Sequence, residues 1–180
     1  MSVSEVELPA WAVASARRRA HIARVNALAR WWAEAMRIDE EEREAWSDAT
    51  RWHDALRDAD ETELRAIVPQ LDWPASLLHG PAAATRLEED GESRGAVLEA
   101  IFWHTVGNAR WDRTGRVLYM ADFLEPGRQF DREKRARLAA RVPTDFDGAF
   151  REVVHMRLGD KVAAGEELRP ETSALWESVQ

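Results

Sequence analysis

The chain has 180 residues, of which 45% are hydrophobic and 32% charged, which suits one globular domain and excludes an intrinsically disordered chain. Its formal net charge of −8 excludes a general nucleic-acid-binding protein, because affinity for phosphate backbones depends on clustered lysine and arginine. The absence of cysteine excludes disulfides and thiolate zinc sites and fits a reducing cytoplasm.

Neither a membrane span nor a secretory signal is expected. The sequence has no run of eighteen apolar residues, and the first residues, MSVSEVELPAW, lack a basic region followed by an apolar one. Nine tryptophans against one tyrosine are unusual, and we expect most of them to pack in the core. One or two would be left to stack on a nucleobase or to cover an interface, so a homodimer is one expectation.

Helical periodicity is strong along most of the chain, whereas the alternation typical of β-strands is weak. Helices are predicted, in chain order, over residues 11–36, 39–59, 60–68, 76–90, 93–105, 112–123, 131–141 and 145–164. Gly91 suits the end of the fourth of these helices, and the residues after Gly165 are interpreted as a tail. The pattern predicts an all-α helical bundle forming a single domain over 1–180, with a core over about 15–165.

The histidines suggest where the chemistry lies. Four of the five fall on separate predicted helices, namely His21, His53, His79 and His104. Asp54 adjoins His53, and Asp122 lies on a fifth predicted helix. Imidazole and carboxylate are natural ligands for a divalent metal such as iron, manganese, cobalt or zinc. Because packed helices can each direct one ligand at a shared interior point, these residues predict a metal site.

The alternative for each histidine is an ordinary core residue with satisfied hydrogen bonds, and we interpret His155 in this way. For the other four the alternative weakens. Burying four imidazoles and two carboxylates together without a metal would carry a large desolvation penalty. The pair at 53–54 is interpreted as two ligands from one rigid helix, reaching a metal that lies over the edge between them.

Five segments carry a resemblance to a known family. His21, HD at 53–54, LLHG at 77–80, AIFWHTVG at 100–107 and YMADFLEPGRQF at 119–130 resemble the HD-domain phosphohydrolase superfamily. More narrowly they are similar to the YqeK family, the bacterial HD-type symmetrical diadenosine tetraphosphate hydrolases. The resemblance runs from about Arg18 to Thr172, where RPET is similar to the family's C-terminal Pro-x-Thr segment.

The resemblance implies an HD-domain helical bundle with a two-metal iron centre, manganese or cobalt being alternatives. The matching principal metal ligands are His21, His53, Asp54 and Asp122. His79 and His104 match histidines that serve a second metal, the substrate phosphates or both. By the same resemblance Asp54, His79 and His104 are expected to be catalytic.

Three arginines match positions that contact nucleotide phosphate in the family: Arg18, Arg57 and Arg128. From the residues alone, Arg18 lies in the basic run ARRRA, which also suits a solvated helix face. Arg57 stands where the family more often has lysine, and a guanidinium forks across two oxygens where an ammonium is a point charge. HTVGN and ATRWHD are further departures, and all three bear on substrate preference.

The function that the resemblance implies is hydrolysis of diadenosine tetraphosphate to two ADP by metal-activated water. The expected partner is therefore a small-molecule nucleotide, a diadenosine polyphosphate. Two alternatives stay open from the sequence. One is an HD phosphohydrolase acting on mononucleotides or guanosine alarmones, and the other is a non-catalytic helical module that binds a nucleotide or a partner.

Overall fold

A computed structural model describes residues 6–180, and among these residues it contains helices and no strand. The predicted all-α class is confirmed. The helices are α1 (Ala16–Met36), α2 (Glu40–Trp52), α3 (Glu61–Ile67), α4 (His79–Glu89), α5 (Gly95–Trp103), α6 (Arg113–Leu124), α7 (Arg132–Arg141), α8 (Phe146–Ala163) and α9 (Pro170–Glu177), with a 3₁₀ turn at Ala75–Leu77. The expectation that the N-terminus carries no secretory signal falls partly on residues 1–5, which lie outside the described residues.

Side chains fix where five of the helices begin. In each case an oxygen of a serine or aspartate accepts a hydrogen bond from a backbone N–H in the first turn, which would otherwise have no partner. These N-caps are Ser15, Asp39, Asp60, Asp112 and Asp145. The sequence therefore encodes the register of the helices that carry the candidate site.

Two predicted boundaries were wrong. The first helix begins at Ala16 rather than near residue 11, because the segment before Ser15 is extended and pairs with the 53–58 turns. Val13 donates to the carbonyl of Ala55 at 2.8 Å and accepts from the N–H of Asp58 at 3.2 Å. The second helix ends at Trp52 instead of continuing to residue 59.

Helix α6 lies at the centre of the bundle. Ten of its residues are buried, and it packs against α1, α2, α5, α7 and α8. Gly115 leaves room for the ring of Trp111 from the preceding loop, since a Cβ at this position would clash with that ring. Asp122 near the end of α6 is thereby held inside the bundle, within reach of the helices on either side.

The residues after Gly165 are not a free tail. They form α9, which packs on α8, with Leu175 fully buried in the main core. The hydroxyl of Thr172 donates to the carbonyl of Val106 at 2.7 Å. Gly107 has φ +87°, and a Cβ there would clash with the Leu175 side chain, so a glycine is required where α9 docks.

The position of His155 differs from expectation, whereas one exposed tryptophan was expected. His155 was interpreted as a core histidine, but it is exposed and lies beside the ring of Trp176, with 5.0 Å between centroids. Trp31 is 45% exposed, whereas its neighbour Trp32 is fully buried. Among residues 6–180, no helix is both long enough and apolar enough to cross a membrane.

The docking of α9 predicts the effect of a core truncation. Leu175→Ala is expected to lower the free energy of unfolding by about 3 kcal/mol, the scale for deleting a buried leucine side chain. Urea denaturation measures it, with Glu177→Ala on the exposed face of the same helix as the control. Equal stability of the two variants would mean that α9 does not pack on the bundle.

Candidate metal centre

Six sequence-predicted residues converge at one place in the bundle. His21 lies in α1, His79 is the first residue of α4, and Asp122 lies in α6. His53 and His104 directly follow α2 and α5. With Asp54, they complete a set of six side chains that are all buried.

Three of the imidazoles share one arrangement. His53 and His104 each direct Nδ1 at the backbone carbonyl three residues earlier, at 2.8 and 2.7 Å. A carbonyl only accepts, so Nδ1 carries the hydrogen and Nε2 keeps its lone pair. His21 directs Nδ1 at the Glu125 carboxylate, 3.1 Å away. An oxygen behind Nδ1 and a free Nε2 in front are the usual state of a metal-binding histidine.

The Nε2 atoms of these imidazoles meet the two aspartates. His21 Nε2 lies 3.1 Å from Asp122 Oδ1 and 3.7 Å from Asp54 Oδ2. The distances to the Asp54 carboxylate are 3.5 Å for His53 and 3.4 Å for His104. Nε2 of His21 and of His53 is buried without a hydrogen bond of acceptable geometry. These two nitrogens fit a cation, which would satisfy them.

The ligand atoms fall into two overlapping groups. His21, His53 and Asp122 form one, and His53, Asp54 and His104 form the other. Within each group the ligand atoms lie within 4.8 Å of one another. The buried histidines and aspartates therefore fit a metal site, and His53 belongs to both groups.

His79 differs from the other three histidines. Its Nε2 lies 3.1 Å from Nε2 of His104 and 3.3 Å from Asp54 Oδ1, and its buried Nδ1 has no hydrogen-bond partner. Gly80 brings α4 this close to α5, since a Cβ there would lie 2.7 Å from the carbonyl oxygen of Ile101. Burial lowers the pKa of His79 to about 4, so its ring is neutral at neutral pH.

Arginines balance the buried carboxylates. Arg18 Nη1 lies 2.5 Å from Asp54 Oδ2, while Asp122 pairs with Arg128 at 2.7 Å and with Arg157 at 3.5 Å. The desolvation penalty of the carboxylates is therefore smaller than expected from the sequence, because both have cationic partners in the protein. It is the imidazole nitrogens, not the carboxylates, that lack partners.

The charges shift the pKa values of the cluster in opposite directions. Burial alone would raise the pKa of Asp54 and Asp122, but the surrounding histidines and arginines hold both well below the usual range. Burial would lower the pKa of His21, but hydrogen bonds to Asp122 and Glu125 outweigh it and raise the value to about 9. Since a metal ligand must be deprotonated, a cation competes with a proton for Nε2 of His21.

The three arginines predicted to bind phosphate are not equally placed. Arg18 and Arg128 lie at the rim of the centre, with side chains 27% and 34% exposed. Arg57 follows Asp54 by one turn, its N–H donating to the Asp54 carbonyl at 3.0 Å. Its guanidinium forms no ion pair within residues 6–180, although its charge helps to lower the pKa of His79.

Glu125 is a residue of the centre that was not predicted from the sequence, although it lies in the segment YMADFLEPGRQF. Besides holding His21 Nδ1, the Glu125 carboxylate accepts from Arg24 Nε at 2.5 Å and from the N–H of Gly127 at 2.6 Å. Burial opposes ionisation, but these contacts lower the pKa of Glu125 to about 2. A carboxylate directly before a Pro-Gly turn cannot be distinguished from a surface residue by spacing alone.

Arg135 was also missed, and it orders the loop that carries Glu125 and Arg128. Its guanidinium is almost fully buried and donates to four backbone carbonyls. These belong to Phe123, Glu125, Arg128 and Phe130, at 2.6–3.2 Å. The buried Arg135 guanidinium thus holds the loop that forms the rim of the centre.

The prediction that the pair at 53–54 lies within one helix was wrong. His53 is the C-cap of α2, with its N–H on the Ala49 carbonyl, and Asp54 belongs to the turn that follows. The turn directs Asp54 at three histidines on different helices, which a continuing helix would not do. The ligands converge as expected, but by a different local geometry.

Sequence comparison supports the resemblance described above. No family model matches the chain. Proteins named symmetrical bis(5'-nucleosyl)-tetraphosphatase are similar to it. The Halalkalibacterium halodurans protein is 31% identical over 109 residues, which cover 56% of this chain and 57% of that protein. The Bacillus subtilis protein is 31% identical over 90 residues, which cover 46% of this chain and 48% of that protein. A Staphylococcus aureus protein of the same name is 37% identical over 59 residues, 32% of this chain and 30% of that one. The matched region spans about half the length of these relatives or less.

Structural comparison confirms the predicted fold. A solved protein from Clostridium acetobutylicum, described as a predicted HD superfamily hydrolase involved in NAD metabolism, matches with a TM-score of 0.75. The match covers 92% of this chain and 89% of that protein at 22% identity. The chain therefore has the same all-α fold as that protein.

The anchor behind His21 predicts how cation affinity depends on Glu125. Glu125→Gln removes the charge that holds Arg24 and orients His21, so affinity for Mn²⁺ or Co²⁺ is expected to fall about 10–100-fold. Competition with a chromophoric chelator measures this affinity, and the exposed Glu133→Gln is the matched control. Unchanged affinity in Glu125→Gln would mean that the Glu125 charge does not support metal binding.

Proposed function

We propose that this chain, an HD-type helical bundle similar in sequence to symmetrical bis(5'-nucleosyl)-tetraphosphatases, is a metal-dependent hydrolase that cleaves diadenosine tetraphosphate into two ADP. Water attacks one of the two central phosphorus atoms. The bond from that phosphorus to the central bridging oxygen breaks, and each half leaves as ADP.

One observation carries the proposal. The inward-facing Nε2 atoms of His21, His53 and His104 converge on Asp54 and Asp122, and each ring is backed by an oxygen acceptor at Nδ1. A bundle stabilised only by packing has no need of such a grouping. A divalent cation held by these five residues lowers the pKa of water, so that hydroxide is available near neutral pH, and it offsets phosphoryl charge.

The chain's own cations would bind the polyphosphate. Arg18 and Arg128 are partly exposed at the rim, and guanidinium groups match phosphate oxygens in a bidentate manner. Arg57 has no carboxylate partner in the described part of the chain, so its charge is available without breaking an ion pair. We propose that these three arginines hold and orient the phosphates, since phosphoryl transfer depends mainly on positioning and charge stabilisation.

His79, which lies against His104, suits a role next to the reacting phosphate. Burial lowers the pKa of His79 to about 4, so its neutral ring can accept a hydrogen bond from water. Asp54 contacts both histidines and stays ionised. We propose these three as the catalytic residues, with Asp54 also a metal ligand.

The finer features of the centre are proposals as well. We propose two cations, of which Nε2 of His53, with its one lone pair, would bind only one. Iron is our first choice and manganese or cobalt the alternatives, because nitrogen and oxygen donors suit all three. We further propose that the chain forms a single HD domain that includes α9. We also propose a cytoplasmic location, which the absence of cysteine supports. A homodimer is proposed as well, from the surplus of tryptophan in the chain.

The buried aspartate provides the sharpest test of this function. Asp54→Asn is expected to reduce the rate of ADP formation from diadenosine tetraphosphate by at least about 100-fold and to lower the bound metal, because a ligand and the partner of two histidines is neutralised. Asp58→Asn is the control in the same segment. Its exposed carboxylate accepts from the N–H of Ser15 and lies near the charges of Arg18 and Arg57 without contacting the histidines, so activity should stay within a few-fold.

Product identification separates this function from the alternatives. With Fe²⁺, Mn²⁺ or Co²⁺ supplied to anaerobically purified protein, the expected product is ADP alone. AMP plus ATP, or no turnover with any of the three metals, would contradict symmetrical cleavage. Turnover of mononucleotides or guanosine alarmones in preference to the dinucleotide would instead identify a different HD phosphohydrolase.

A further inference from the structure

A groove of about 470 Å³ lies beside the metal centre, between α1, the loop after α6 and α7. We call it the α1–α7 groove. Its walls include Leu28 and Trp31 from α1, Pro126 and Arg128 from the loop, and Arg132 from α7. Its volume falls within the range of small-molecule sites in proteins.

Trp31 is the unusual residue of this groove. It is one of the two large hydrophobic side chains that stand exposed among residues 6–180, at 45%. Its neighbour Trp32 is fully buried and donates Nε1–H to the carbonyl of Ala139, at 2.9 Å, which fixes α1 against α7. Trp31 is therefore a flat aromatic surface on a rigid helix, with no stacked ring in the described structure.

Arg128 is shared by the groove and the metal centre. This side chain lines the groove and also reaches Asp122 Oδ1 at 2.7 Å and the Asp122 carbonyl at 2.8 Å. A ligand whose phosphates lie at the centre would pass Arg128 and enter the groove with its remaining part.

The rise of helix α1 gives the distance between the metal centre and the groove. Leu28 follows His21 by two turns and lies on nearly the same face, while Trp31 lies about 15 Å along the axis from His21. A diphosphate and a ribose span a separation of this order. At the groove, Arg128 and Arg132 carry positive charge, and Glu133 is the acid among the lining residues.

We propose that the α1–α7 groove binds one nucleoside of a dinucleoside polyphosphate, with its base stacked on Trp31 and its phosphates passing Arg128. The inference rests on the proposed function and adds a subsite to it. Stacking on tryptophan tolerates any base, since every base has a π-face. The groove therefore supplies affinity for a nucleoside arm, and Leu28 and Pro126 supply apolar contact to its edges.

The test compares ADP, which has one nucleoside arm, with pyrophosphate, which has none. Calorimetry measures both affinities for the Mn²⁺-loaded protein. Trp31→Leu keeps apolar volume but removes the aromatic face, and we expect it to weaken ADP about ten-fold or more. Trp31→Phe keeps a stacking face and should stay within about three-fold of the native affinity. Pyrophosphate should bind all three proteins equally.

Several outcomes would overturn the subsite. The subsite is wrong if Trp31→Leu binds ADP as tightly as the native protein. It is also wrong if Trp31→Leu weakens ADP and pyrophosphate binding equally. A change in oligomeric state, seen by light scattering, without a change in ADP affinity would make the groove an interface between copies of the chain instead.

The subsite and the proposed function fail separately. If the native protein forms ADP from diadenosine tetraphosphate while Trp31→Leu keeps its KM and its ADP affinity, only the subsite is wrong. If ADP binding depends on Trp31 but no dinucleotide is hydrolysed, the groove binds nucleotide and only the hydrolase function is wrong.

Discussion

Three imidazole rings are fixed by oxygen acceptors behind Nδ1, and this constraint directs their Nε2 atoms to the centre of the bundle. For His53 and His104 the acceptor is a carbonyl in the last turn of the helix that each residue ends. For His21 it is Glu125, which Arg24 and a loop N–H hold in place. Ring orientation is thus set by the ends of helices and by one loop, and the ligand geometry follows from how those elements pack. The central position of α6 supplies Asp122 to the same point.

Charge balance explains how the carboxylates can be buried so close together. Asp54 and Asp122 each have an arginine within hydrogen-bonding distance, and Arg18 and Arg128 reach them from the partly exposed rim. In the proposed function, phosphate oxygens would compete with these carboxylates for the same guanidinium groups. Arg57, which forms no ion pair in the described part of the chain, would bind phosphate without such an exchange.

The sequence predicted most of the helices and the six converging residues, because apolar periodicity and residue type are visible in it. It did not predict the end of α2 at Trp52, since nothing in TRWHD marks a stop: the helix ends because the following turns pair with the extended segment before α1. Nor did it predict α9, whose burial depends on Leu175 meeting Gly107 across the fold. Glu125 and Arg135 were missed for a related reason. Each acts through contacts with residues distant in the sequence, and neither spacing nor composition distinguishes them from surface charges.

The most direct test of the account is X-ray absorption at the metal edge of the iron- or cobalt-loaded protein. The account predicts a first shell of mixed nitrogen and oxygen donors with the multiple-scattering signature of two or more imidazoles per metal. A shell of oxygen alone, without imidazole scattering, would contradict it, as would failure to bind the metal in stoichiometric amount. In either case the converging histidines would be a feature of packing, and the hydrolytic function proposed from them would lose its basis.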